Sequence, residues 1–99
     1  MEIKIQSIRF DATEKLQAFV EKKVAKLEKS YEDIKKVEVL LKVVKPATAM
    51  NKETSLSVTV PGTTLFVEKT NDTFEEGIDE CVDAMKAQLS KFKEKQRNY

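Results

Sequence analysis

The last quarter of the sequence constrains the fold most, because it predicts one long helix with a single apolar side. Apolar residues recur in it at spacings of three and four positions, the periodicity of an α-helix face. These residues are Phe74, Ile78, Cys81, Val82, Met85, Leu89 and Phe92. At 3.6 residues per turn the predicted helix, within 71–97, has about six turns. Its apolar side must be covered by another layer, which the preceding residues have to supply.

Charge is divided along this helix, with acidic residues in the first half and basic residues in the second. The basic residues are Lys86, Lys91, Lys93, Lys95 and Arg97. Acid first and base last suits the helix dipole, so a purely structural cause is available. However, the basic end runs past Phe92, the last apolar residue, and so extends beyond what a core needs. A projecting cationic helix end is suited to binding phosphate.

The remaining sequence predicts four strands and a second amphipathic helix. The predicted order is a strand at 2–8, a helix at 13–30, strands at 37–45, 54–60 and 64–70, and then the long helix. In the first strand the apolar alternation slips by one residue, which predicts a strand end or a bulge near Ser7. Pro61 and Gly62 predict a tight turn between the last two strands.

The order β-α-β-β-β-α predicts an α+β fold with two layers. The first helix is a crossover, so the two strands that it joins are expected to be parallel neighbours. The other strands are joined by short connections and should pair as antiparallel hairpins. Each helix has one apolar face, so both are expected on the same face of a four-stranded mixed sheet. We expect residues 1–99 to form a single domain.

Composition argues against most enzymatic chemistry. The sequence has no histidine, which removes the commonest general base and metal ligand, and its two glycines form no phosphate-binding loop. Its single cysteine, Cys81, excludes an internal disulfide and a cysteine-rich zinc site. We therefore predict no enzyme, no metal, no cofactor and no small-molecule substrate. The chain has no apolar leader and no membrane-length apolar segment, so we expect a cytoplasmic protein without a membrane partner.

The first helix sorts its charges into two flanks. Lys15, Lys22, Lys26 and Lys29 fall on one flank, and glutamates fall on the other. Packed beside the basic half of the long helix, this lysine edge would join it in one patch of Lys22, Lys26, Lys29, Lys86, Lys91, Lys93, Lys95 and Arg97. On the long helix these cations occupy two flanks, and would grip RNA around the helix end. A solvated helix with mixed charges is the alternative explanation of the lysine edge.

Six segments carry a resemblance when they are taken together in their order and spacing. They are I-K-I at 3–5, T-E-K-L at 13–16, F-V-E-K-K-V-A-K-L-E-K at 19–29, V-E-V-L-L-K-V-V-K at 37–45, N-D-T-F-E-E-G-I-D-E-C-V-D at 71–83, and Q-L-S-K-F-K-E-K at 88–95. In these segments the chain resembles the ribosome hibernation-promoting factor and ribosome-associated translation inhibitor family along essentially its whole length.

The resemblance implies a fold similar to double-stranded RNA-binding domains and a role on the ribosome. A protein of this family binds the small ribosomal subunit and its rRNA, in the mRNA and tRNA channel near the decoding centre. It inhibits translation by steric exclusion in stationary phase or starvation, and is expected to act there as a monomer. The family's RNA-facing lysines match Lys26, Lys29, Lys91 and Lys93. Further lysines that the family commonly carries match Lys42 and Lys45.

The sequence departs from the family pattern in two respects. Ala84 and Ala87 stand where the family usually has basic residues, and Lys86 lies between them, which implies a shifted cationic patch. The chain ends at Tyr99 without the C-terminal dimerisation domain of long members. The resemblance therefore implies a short form, one ribosome-binding domain that does not pair ribosomes by itself.

Two alternatives remain open on sequence grounds. The sheet face away from the helices would expose Leu40, Val44 and Phe66, which would suit a protein–protein interaction module. An RNA binder without preference for the ribosome is the second alternative. Salt separates RNA binding from apolar association, because phosphate binding weakens steeply as salt rises.

Overall fold

A computed structural model gives the fold over residues 1–44 and 50–97, with the backbone alone at 96 and 97. The elements that it contains match the predicted order. They are β1 (Glu2–Ile8), α1 (Glu14–Ala25), a 3-10 segment (Lys26–Lys29), β2 (Lys36–Val43), β3 (Lys52–Val60), β4 (Thr63–Asn71) and α2 (Phe74–Arg97).

The four strands form one mixed sheet in the order β1-β2-β3-β4. β1 runs parallel to β2, and the β2–β3 and β3–β4 pairs are antiparallel. The parallel pair is joined through α1, as a crossover requires, because a short hairpin can join only antiparallel strands. The predicted α+β architecture with its mixed sheet is therefore confirmed.

The end of β1 shows how the slip in apolar phase is accommodated. The strand stays paired through Ile8, which lies opposite Lys42, so β1 ends there without a bulge at Ser7. Arg9 then takes a left-handed backbone conformation, with φ of 68°. This turn brings Phe10 back to the helix side, where its ring stacks on Phe74 with centroids 4.7 Å apart.

The core lies between the helices and one face of the sheet. Its fully buried side chains include Val20, Val24, Leu27, Leu41, Leu56, Val58, Ile78, Met85 and Leu89. Both helices and strands β2, β3 and β4 contribute buried residues to this single cluster, and Ile3 and Ile5 of β1 pack against it. The apolar stripes predicted for the two helices therefore face the same layer.

Threonine hydroxyls cap the N-termini of both helices. Thr13 Oγ1 accepts the N–H of Leu16 at 3.1 Å, and Thr13 is therefore the N-cap of α1. Thr73 Oγ1 accepts the N–H of Glu76 at 3.2 Å and donates back to its carboxylate at 3.3 Å. Capping residues of this kind satisfy N–H groups that have no partner within the helix.

The first helix is shorter than predicted. Its α-helical part ends at Ala25, and the next four residues form the 3-10 segment instead of continuing to residue 30. The segment keeps Leu27 fully buried, and its carbonyl accepts the N–H of Tyr31 at 3.1 Å. The tighter turn therefore ends the α-helix while Leu27 and Tyr31 both stay buried in the core.

α2 approaches β3 most closely at Gly77. A Cβ atom added to this residue would overlap Thr54 Oγ1 and would lie 3.0 Å from Thr54 Cβ. Thr54 is fully buried on the helix side of β3, so its side chain has little room to withdraw. Gly77 is therefore the residue that permits the helix and the strand to touch.

We predict that Gly77→Ala destabilises the fold by about 1–3 kcal/mol, the usual cost of overpacking a core. At an exposed position inside a helix, replacing glycine by alanine stabilises the protein by about 1 kcal/mol. A loss of stability at residue 77 would therefore show that the close contact with Thr54 outweighs this gain. Urea unfolding followed by circular dichroism measures it.

The matched control is Ser90→Ala, an exposed position of the same helix. It should leave the free energy of unfolding unchanged or slightly raised. If Gly77→Ala stabilised the protein as well, the close contact between the helix and Thr54 would not limit the packing. Combination with Thr54→Ala, which removes the overlapping hydroxyl, should recover part of the loss.

Candidate nucleic-acid interface

The two helices lie side by side on the sheet with their starts at the same end. Phe10, just before α1, stacks on Phe74 at the start of α2. Lys23 Nζ lies 3.2 Å from Asp79 Oδ1. Beyond the end of α1, the ring of Tyr31 contacts that of Phe92, with centroids 5.6 Å apart. The 3-10 segment, which lies between Lys23 and Tyr31, is therefore level with the part of α2 between Asp79 and Phe92, where the acidic half gives way to the basic half.

The Lys23–Asp79 pair identifies the flank of each helix that faces the other. On α1, Lys22 and Lys26 lie roughly 60–100° around the axis from Lys23, at 100° per residue. They are exposed, so the lysine edge borders the groove between the helices on its solvent side. On α2, residues 86 and 93 follow Asp79 by seven and fourteen positions, which rotates them by roughly 20° and 40°. Lys86 and Lys93 therefore continue the flank that faces α1.

Only the later part of the lysine edge lies near the basic residues of α2. Lys15 and Lys22 line a shallow groove of about 370 Å³ together with Phe19 and Glu75. Glu75 belongs to the acidic first turn of α2. The early part of the lysine edge is thus level with acidic residues, whereas Lys26 and Lys29 approach the basic half. We define the interhelix lysine cluster as Lys26, Lys29, Lys86 and Lys93, and the structure does not bring Lys22 into it.

The 3-10 segment aligns two members of this cluster. With three residues per turn, side chains at positions i and i+3 project along one line, whereas in an α-helix they diverge. Lys26 and Lys29 occupy these positions and both are exposed. Sequence reasoning missed this alignment, because nothing in the segment K-L-E-K distinguishes a 3-10 turn from a helix.

Lys91 and Lys95 lie on the other flank of α2, beside β4. They line a groove of about 220 Å³ with Leu65, Gln88 and Phe92. Gln88 Nε2 donates to the carbonyl of Phe66 on β4 at 3.1 Å, which fixes the direction of this flank. The basic end of α2 therefore carries lysines on two flanks, as the helical spacing predicts. The side chain of Arg97 lies outside the described residues.

The structure separates Lys42 from the helix lysines. Lys42 lies on β2 and lines a groove on the sheet face opposite the helices, together with Lys4 and Glu53. The sheet itself therefore stands between Lys42 and the interhelix lysine cluster. Lys45 lies outside the described residues.

None of the predicted RNA-binding lysines that the structure describes forms an ion pair with a carboxylate. Within residues 1–44 and 50–95, the ion pairs join Lys23 to Asp79, Lys36 to Glu38, and the N-terminal amine to Glu28. No lysine of the interhelix cluster, and neither Lys91 nor Lys95, takes part in one. These side chains are free to exchange their counterions for phosphate.

The two alanines that depart from the family pattern lie on different sides of α2. Ala84 is half-buried and packs against the core, whereas Ala87 is exposed. Lys86, between them, lies on the flank toward α1. The shifted cationic patch stays a prediction, which the position of Lys86 would place on the side toward α1.

Cys81 is a core residue without the surroundings of a reactive thiol. It is fully buried, and its Sγ donates to the carbonyl of Thr54 at 3.5 Å. Burial raises the pKa of the thiol to about 11. Across the part of the chain that the structure describes, no cluster of acidic residues and cysteine has a metal-binding arrangement. No helix in that part is both long and apolar enough to cross a membrane.

We predict that Cys81 in the native protein reacts at least a hundredfold more slowly with a disulfide reagent at pH 8 than in urea. The thiolate is the reactive form, and both the raised pKa and burial suppress it. Release of the coloured thiolate measures the rate. A native rate close to the rate in urea would contradict the buried position.

The comparisons with known proteins identify the class. Residues 3–97 match the family described as Sigma 54 modulation protein / S30EA ribosomal protein. This match spans nearly the whole chain, and the protein belongs to that family. The predicted family resemblance is thereby confirmed.

Individual relatives support the same assignment. The chain is 26% identical over 98 residues to a ribosome hibernation promoting factor of Pseudomonas putida, covering 99% of this chain and 92% of the relative. It is 28% identical over 96 residues to a ribosome hibernation promoting factor of Azotobacter vinelandii, covering 97% of this chain and 86% of the relative.

Solved structures confirm the fold. A ribosomal subunit interface protein from Coxiella burnetii superposes with a TM-score of 0.83 at 22% identity, covering 94% of this chain and 98% of that one. The N-terminal domain of Thermus thermophilus Protein Y superposes with a TM-score of 0.79 at 26% identity, covering 93% of this chain and 99% of that one.

Proposed function

We propose that this protein is a ribosome hibernation factor that binds the small ribosomal subunit and blocks translation. It occupies the channel used by mRNA and tRNA near the decoding centre, in stationary phase or starvation. It acts in the cytoplasm as a single domain, and a monomer is sufficient. Its action is steric exclusion, and no catalytic step is involved.

The observation that carries this proposal is the interhelix lysine cluster, whose members have no carboxylate partner among the described residues. Lysines held apart from acids keep their counterions until a phosphate replaces them. The release of those ions drives binding to RNA and makes it depend on salt. The lysines of the second flank, Lys91 and Lys95, extend the contact around the end of α2.

The shape of the molecule supports steric exclusion. Its principal dimensions are 50, 22 and 18 Å, so it is an elongated body and not a sphere. A body of this size, held by its lysines against rRNA, would fill a channel that mRNA and tRNA must enter. The named relatives are hibernation promoting factors, which supports extending this role to the present chain.

Co-sedimentation with ribosomal subunits tests the proposal directly. The protein should migrate with the small subunit at low salt and be released as salt rises. Prebound initiator tRNA and mRNA should block its binding, because they occupy the same channel. If the protein stayed at the top of the gradient at low salt, the proposed function would be wrong. Equal affinity for any RNA duplex would favour a general RNA binder.

We predict that replacing Lys26, Lys29, Lys91 and Lys93 by glutamate abolishes binding to the small subunit. The change replaces four cations by anions on surfaces that would face phosphate, and the four side chains are exposed, so the fold should survive. Lys69→Glu is the matched control, since Lys69 is an exposed strand residue outside the cluster. Intact binding by the fourfold variant would refute the electrostatic part of the proposal.

Single lysine-to-glutamine substitutions should show which face of the molecule contacts RNA phosphates. For each lysine that contacts a phosphate, replacement by glutamine should lower the slope of log affinity against log salt by about one. We expect this for Lys26, Lys86 and Lys91, which sample both flanks of α2 and the end of α1. We expect no change for Lys42, because it lies on the opposite face of the sheet. A reduced slope for Lys42→Gln would extend the RNA interface to that face.

A further inference from the structure

No helix within residues 1–44 and 50–97 packs on the sheet face opposite α1 and α2, and this face carries a regular array of side chains. Strand pairing places them in rows across β1, β2, β3 and β4. The first row is Glu2, Lys36, Thr59 and Thr64, and the second is Lys4, Glu38, Ser57 and Phe66. The third row is Gln6, Leu40, Ser55 and Glu68, and the fourth is Ile8, Lys42, Glu53 and Thr70. We call this array the open sheet face.

Charge on the open sheet face is divided between its two halves. The β1–β2 half carries three lysines against two glutamates, and the β3–β4 half carries glutamates alone. The members of the first half are Lys4, Lys36, Lys42, Glu2 and Glu38, and those of the second are Glu53 and Glu68. Glu38, on the basic half, is paired with Lys36 Nζ at 3.0 Å, which lowers the pKa of Glu38. Glu68 accepts a hydrogen bond from Ser55 at 3.2 Å, which holds its carboxylate over β3 and β4.

Apolar surface lies within the same array. The ring of Phe66 is 55% exposed, although the residue lies in the middle of a strand. Leu40 and the two short side chains Ser55 and Ser57 leave a depression of about 310 Å³ beside the ring. An exposed aromatic residue beside such a depression is suited to contact with another protein surface.

We propose that the open sheet face binds a second copy of this chain. The two copies would be related by a two-fold axis parallel to the strands and lying between β2 and β3. This axis sets β1 of each copy over β4 of the other, and β2 over β3. Lys42 then lies over Glu53 of the second copy, and Lys4 lies over its Phe66, beside its Glu68. The face is complementary to itself, as a two-fold interface requires.

The charge pattern selects this axis over the other in-plane axis. An axis perpendicular to the strands would reverse the order of the rows and set each strand over its own equivalent. Lys36 would then lie over Lys42 of the second copy, a like-charge contact that opposes association. The axis parallel to the strands creates no like-charge contact between the paired rows.

The same pattern argues against RNA as the occupant. Three lysines, Lys4, Lys36 and Lys42, lie on the face with four glutamates, Glu2, Glu38, Glu53 and Glu68. A surface with this balance does not attract phosphate. The helix lysines lie on the other side of the sheet, so self-association leaves them exposed, and this proposal does not depend on RNA binding.

The size of the face indicates a weak dimer. Four strands at about 4.8 Å spacing and seven residues at about 3.3 Å per residue cover roughly 440 Å² per copy. Two copies would bury roughly 900 Å² of flat surface, below the ~1,200–2,000 Å² of stable complexes. Contacts below that size are weak and transient, so we expect dimers at a protein concentration on the order of 100 µM and monomers well below it.

A complementary pair of charge reversals tests the proposed axis. Wild-type protein should show a concentration-dependent mass in sedimentation equilibrium between 20 µM and 1 mM (roughly the range expected for a contact of this size). Lys42→Glu alone and Glu53→Lys alone should each weaken association at least tenfold, since each places like charges across the axis. An equimolar mixture of the two variants should associate at least as tightly as wild type, because both contacts become opposite in sign.

Each outcome decides the proposal. Wild-type protein that stays monomeric at 1 mM, variants that associate as wild type does, or a mixture that fails to associate would each overturn it. Lys35→Glu, an exposed position outside the array, is the control for a change of charge alone. If either variant fails to fold by circular dichroism, Lys4→Glu and Glu68→Lys form the second complementary pair, because both residues are exposed.

Discussion

The close contact between Gly77 and Thr54 sets the position of α2, and the surface of the protein depends on that position. A side chain at residue 77 would push the helix away from β3. With the helix against the strand, Asp79 faces α1 and Gln88 reaches the β4 backbone. The two basic flanks of α2 follow from this rotation, because helical spacing fixes every later residue relative to these contacts.

Periodicity predicted the elements, the mixed sheet and the single helical layer, because each depends on local alternation and on which faces are apolar. Periodicity does not show which part of one helix lies level with which part of another. The sequence therefore joined Lys22 to the basic half of α2, whereas the structure places Lys22 beside Glu75. The turn at Arg9 and the 3-10 segment are also set by tertiary packing, since Phe10 and Leu27 must both reach the core.

The two faces of the sheet differ in how their charges are arranged. On the helix side, the lysines of the interhelix cluster have no acidic partner among the described residues, whereas the β3–β4 half of the open sheet face carries glutamates alone. A net charge of +1, from 18 basic and 17 acidic residues, conceals both arrangements. What the protein can bind therefore depends on where these charges lie and not on their sum.

The parallel packing of the helices has a consequence for how the molecule moves toward a target. The acidic turns of α2 lie at one end of the helix and its basic turns at the other, so the protein carries an electric dipole along its length. Near a polyanion, a dipole experiences a torque even when its net charge is close to zero. The protein would therefore turn its basic end toward such a surface before contact, and raised ionic strength would remove this orientation together with the attraction.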